Sequence, residues 1–174
     1  MPELAEALDS LGKSDYDLIV LTQAFLMDML PIRNQAFNRL KSLAGKVKPA
    51  THSVYIRTLL NGWPTGRRMR TLNSMHRSTS CPFCSTGQDS IEHFAHCQWC
   101  KEVFMKFNVT CNSLLDFLCL DSACTCDRVL VAKAKVLAIL FTIRSTLVHH
   151  PSSAPPLDKD VLLRTAIGGI SCSL

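Results

Sequence analysis

Leu18, Ile19, Leu21, Phe25, Leu26 and Met29 recur at helical spacing near the start of the chain, and Pro31 interrupts the run. Pro31 suits the first turn of a second helix, through Ala36, Phe37, Leu40 and Leu43, closing near Gly45. A third opens at Pro49 and Thr51, carries Val54, Ile56, Leu59 and Leu60 partly on one face, and stops at Asn61-Gly62. Trp63-Pro64-Thr65-Gly66 then reads as a turn. After Asn112 the pattern predicts a short helix bearing Leu114, Leu115, Phe117 and Leu118, then a long one from a cap at Asp127 to about His149. Residues 151–156, rich in Pro and Ser, form a linker, and a terminal helix from Asp158 to Ile167 ends at Gly168-Gly169.

The longest apolar stretch, Val129 to Val148, contains Lys133, Lys135 and Arg144, whereas a bilayer span needs about 20 nearly uncharged residues. A buried amphipathic helix is expected there, and no membrane partner. The first residues are acidic and no apolar core follows a basic start, so an intracellular setting, cytoplasm or nucleus, is expected. In that setting nine cysteines read as metal ligands and core thiols, not as a disulfide framework.

Charge sharpens the picture. Residues 1–28 hold six acids against Lys13 alone. From Met29 to Gln88 there is no acid, but ten bases: Arg33, Arg39, Lys41, Lys46, Lys48, Arg57, Arg67, Arg68, Arg70 and Arg77. From Asp89 onward, eight acids balance eight bases. A long basic run without acids is what a polyanion exploits, so RNA or DNA backbone is the expected partner. The alternative is a solvated basic face docked on the acidic first 28 residues.

The chemistry concentrates in residues 81–100. Cys81-Pro82-Phe83-Cys84 has the separation that aims two thiolates at one cation from a tight turn, which Pro82 stiffens. His93 and Cys97 are four apart, so on one helix they would share a face. Asp89 or Ser90 is placed to cap that helix. Cys81, Cys84, His93 and Cys97 would complete a closed tetrahedral Zn2+ site, structural because no position stays open for water. Cys100 leaves a second, all-cysteine set open, with His93 replaced. The remaining cysteines, Cys111, Cys119, Cys124, Cys126 and Cys172, read as core or surface thiols.

The run Ile56-Arg57-Thr58-Leu59-Leu60-Asn61-Gly62-Trp63-Pro64-Thr65-Gly66-Arg67-Arg68-Met69-Arg70, followed by Cys-Pro-Phe-Cys and Asp-Ser-Ile-Glu-His-Phe, resembles the zinc-binding region downstream of reverse transcriptase in non-LTR (LINE-type) retrotransposon polyproteins. The resemblance covers about residues 52–100; many members of that family place four residues, not three, between the His and the last Cys. It implies zinc on Cys81, Cys84, His93 and Cys97 and nucleic-acid contact near Arg57, Arg67, Arg68 and Arg70; Arg77 extends the same basic run. Polymerase chemistry needs carboxylates that hold two divalent ions. Asp15, Asp17, Asp158 and Asp160 stand at predicted helix starts and read as caps. No enzyme activity and no small-molecule substrate are expected.

The expected fold is mainly α: an irregular helical domain with an embedded Cys-Cys-His-Cys zinc knuckle and at most a short hairpin around Cys81 and Cys84. Its segments are N-terminal helices (1–48), a basic lead-in with the zinc module (49–107) and C-terminal helices (108–174). The last of these are the expected surface for any protein partner.

Overall fold

The computed structural model describes residues 30–72, 80–121, 126–150 and 155–171, with the side chains of 30–33, 70–72 and 170–171 left out. The amphipathic run before Met29, the acidic residues 1–28, Arg77, Cys124 and Cys172 lie outside the described residues. Eight helices are described: α1 (Leu30–Leu43), α2 (Pro49–Leu59), α3 (Gly66–Leu72), α4 (Ile91–His96), α5 (Gln98–Lys106), α6 (Leu114–Phe117), α7 (Asp127–His149) and α8 (Lys159–Ser171). Extended pairing among the described residues is limited to one antiparallel bridge between Ser80 and Gln88. The chain is thus mainly α with a short closed loop, as its pattern predicts.

Helix α7 is the central element. Ten of its 23 residues are buried, among them Leu130, Ala134, Leu137, Leu140 and Ile143, because α1, α2, α5 and α8 all pack on it. Each fully buried aliphatic side chain of this size contributes about 1.5–3 kcal/mol, which explains how α7 tolerates two buried bases. Lys133 is one: its ammonium donates to the Asp116 carboxylate, whose other oxygen accepts the Asn112 amide at 2.9 Å. Arg144 is the other and belongs to the site described below.

Three boundaries differ from expectation. The buried stripe of α2 is Thr51, Tyr55 and Thr58, whereas Leu60 is 48% exposed. The polar stripe is satisfied internally: Thr58 donates to the Val54 carbonyl at 2.8 Å and accepts from the Trp63 indole at 2.9 Å. Helix α8 continues through Gly168-Gly169, because neither glycine takes the left-handed conformation that closes a helix, unlike Gly45 after α1 (φ +74°). Helices α3 and α5 are additions to the sequence reading, α3 being the basic lead-in itself.

Candidate metal centre

The centre begins as a closed loop. The Cys81 amide donates to the Gly87 carbonyl at 2.6 Å, and the Ser85 amide donates to the Cys81 carbonyl at 2.8 Å. Ser85 turns the chain back with φ 64°, a left-handed conformation that residues other than glycine adopt at a cost. Ser90, in extended conformation, caps α4 by accepting the His93 amide at 3.2 Å. Helix α4 then stops at His96. Cys97 does not lie on the same helical face as His93: with φ −62° and ψ 124° it is the junction that ends α4 and starts α5. Its thiol therefore faces the loop from a helix start, where amide dipoles favour a thiolate.

Cys81, Cys84, His93 and Cys97 converge: their four ligand atoms all lie within 4.8 Å of one another, with Cys84 Sγ and His93 Nε2 at 3.2 Å. Bonds of about 2.0–2.3 Å to a tetrahedral ion set ligand atoms about 3–4 Å apart, so the set could hold a metal ion with small closure. His93, not Cys100, completes this group of four. Cys81 and Cys97 are almost fully buried, Cys84 and His93 half-buried.

Without an ion the packed thiols set one another's acidity. The Cys100 thiol and then Cys81 donate to Cys97 and hold it far below the usual thiol range. Cys81 is pushed far up, first by that bond and then by burial. Burial and the bond to Cys97 also push Cys100 well up. Against the opposing effect of burial, the Thr86 hydroxyl at 3.2 Å, the Thr86 and Gly87 amides and His93 lower Cys84 to about 7. Closely packed thiols of this kind resist full ionisation together unless a cation sits among them.

Gly87 sets the position of His93. A Cβ built on Gly87 would lie 1.9 Å from His93 Cε1 and 2.3 Å from both ring nitrogens, so the loop backbone lies against the imidazole and no larger residue fits without moving it. Replacing Gly87 by Ala should swing His93 out and weaken metal binding by about 10–100-fold or more, read by competition with a chromogenic chelator. Unchanged affinity would show that His93 is dispensable.

Aromatic rings seat the loop on the core. Phe83 stacks on Trp99 (5.1 Å, 5° between planes) and meets Phe94 edge-on at 5.2 Å; Phe94 in turn reaches Trp63 at 5.8 Å, and Trp63 meets Phe141 of α7 at 5.2 Å. Trp63, Phe83 and Phe94 are buried. The Lys159 ammonium of α8 donates to the Phe83 carbonyl.

Asp89 adds a polar anchor where a simple cap was one expectation. It is 3% exposed and receives Arg144 through two guanidinium nitrogens, Nε at 2.9 Å and an Nη at 2.5 Å. The same Nη donates to the Pro64 carbonyl at 2.7 Å. Asp89 also accepts two amides from the start of α3: Gly66 on its carboxylate at 2.5 Å and Arg67 on its carbonyl at 3.2 Å. Its only sequence signal was that Asp89 is the first acid after the acid-free run.

The predicted arginines lie on α2 and α3, on either side of the Trp63 turn. Arg57 is exposed, its guanidinium carbon 5.9 Å from the Phe141 ring centre, and its carbonyl accepts the Gly62 amide at 2.5 Å. Arg68, half-buried, donates to the Asn61 carbonyl. Arg67, its side chain 44% exposed, pairs with Glu92 at 3.7 Å. The structure thus gathers Arg57, Arg67 and Arg68 around the turn between α2 and α3; Arg70 lies on α3, and Arg77 is outside the described residues. No described helix is long and apolar enough to cross a membrane. No family profile, curated protein or solved structure matches the chain.

Proposed function

We propose that this chain is a zinc-stabilised nucleic-acid-binding module, a fragment or remnant of a non-LTR retrotransposon polyprotein without its catalytic domains. Zinc is favoured by the donor set, three thiols and one imidazole in a half-buried tetrad whose four ligands would leave no position for water. The observation that carries the binding role is the attachment of arginine-bearing α3 to the metal loop through Asp89. It rests also on ten bases without an acid from Met29 to Gln88 and on the resemblance of residues 52–100. Because Trp63, Phe83 and Phe94 are buried, the arginines would meet phosphate without ring stacking beside them.

Replacing Arg67, Arg68 and Arg70 together by Ala should weaken binding alike across sequences and lower the salt slope by about one unit per lost phosphate contact. Fluorescence anisotropy with RNA and DNA oligomers at several salt concentrations measures it. Unchanged affinity near physiological salt would end this reading. Deleting residues 1–28 is the companion test: a basic face that only docks on those acids would then gain nonspecific binding.

A second reading is a protein-interaction or structural domain stapled by its metal. Exposed Met105, Leu115 and Val161 on α5, α6 and α8 favour it. Such binding would be insensitive to salt, whereas phosphate binding falls steeply with it.

A further inference from the structure

Helix α3 has little reason to form by itself. It has seven residues, Gly66 opens it, three of its residues are arginines and none is acidic. A helix this short is marginal even with good formers, and arginines in the first turn oppose the helix dipole. The first four amides of any helix lack partners inside it. In α3 the first two are taken by Asp89, and the third, Arg68, donates to the Thr65 hydroxyl at 3.3 Å. Asp89 in turn is fixed twice: by Arg144 on α7, and through its backbone, which runs from the Gln88 bridge to the Ser90 cap of the ligand His93.

We propose that Asp89 is the positioning residue that makes the arginine helix depend on the metal. With an ion on the four ligands, the loop holds Asp89 under the start of α3 and the arginines keep one orientation. Without it, the loop loosens, Gly66 and Arg67 lose their acceptor, and α3 frays while the core around α7 stays folded. The dependence deepens the binding role proposed above and rests on it for its purpose, although the coupling is measurable with no nucleic acid present.

Hydrogen exchange on the full chain, with zinc and after chelation, tests this. Chelation should speed exchange at the Gly66, Arg67 and Met69 amides by at least about tenfold, and change the Leu137–Ile143 amides by less than about twofold. No change at α3, or an equal change throughout α7, would overturn the proposal. Two variants locate the coupling. Asp89→Ala with Arg144→Leu removes the side-chain acceptor of Gly66 without orphaning a charge, keeps the backbone carbonyl that holds Arg67, and should leave the Gly66 amide fast-exchanging even with zinc bound. Asp89→Asn with Arg144→Gln keeps a neutral acceptor for Gly66 and should restore metal-dependent protection of α3. If the first pair does not fold, the second still decides, since α3 protection without metal dependence in it would overturn the proposal. Oligonucleotide binding is then read separately: coupling without binding sinks the nucleic-acid role and leaves the Asp89 linkage standing, and binding without coupling does the reverse.

Discussion

Stripping the metal with a chelator should unfold the loop from Ser80 to Cys97 and expose it to protease, while most of the helical signal persists. The ligand atoms within 4.8 Å of one another include two buried thiols, Cys81 and Cys97, whose ionisation a cation must support. Structural zinc contributes about 10–16 kcal/mol in small peptide sites, more than any other single interaction available to this segment. Apart from its ligands the loop is held by one bridge, a few backbone bonds, the ring contacts of Phe83 and Phe94, the Lys159 bond to Phe83 and the Asp89–Arg144 pair. Cys84→Ser should reproduce the effect even with zinc supplied. Limited proteolysis followed by mass spectrometry would place the new cuts, and an uncut loop in the stripped protein would refute a structural metal.

The second large effect belongs to Arg144. Replacing it by Met would leave the Asp89 carboxylate buried with the Gly66 amide and no counter-charge. Breaking one half of a buried pair costs about 3–5 kcal/mol, against near-neutrality when both charges go. The urea midpoint should therefore fall by about 1–4 M, and the double change Asp89→Ala with Arg144→Leu should recover much of that loss. A single variant as stable as the parent would mean that solvent reaches Asp89 in solution.

The helices legible in the sequence were those with their own punctuation. Pro31, Pro49 and Asp127 start α1, α2 and α7 within a residue or two of the observed positions. Ser113 and Asp158 supply side-chain caps for α6 and α8. The four ligands were legible for the same reason, since their spacing is local. Helix α3 was not, because its acceptor lies 23 residues away in sequence and its seven residues, opened by Gly66, are too few to show a helical period. Nor was the break at Cys97, where the i, i+4 spacing from His93 suits a continuous helix equally well. Arg144 read only as a charge unsuited to a membrane, since nothing local distinguishes a paired buried arginine from an exposed one. The glycine against the His93 ring was hidden too: Gly87 reads as an ordinary turn residue until the ring is seen beside it.

The 55-residue separation of Asp89 and Arg144 has a consequence for how the protein is made. At translation rates of about 5–20 residues per second, Asp89 waits about 3–11 s before its counter-charge is even synthesised. All four thiol and imidazole ligands leave the ribosome within that interval. Were an ion to bind these ligands, it would enter while the loop is still open to solvent, before the arrival of α7 seals the charged underside of the site.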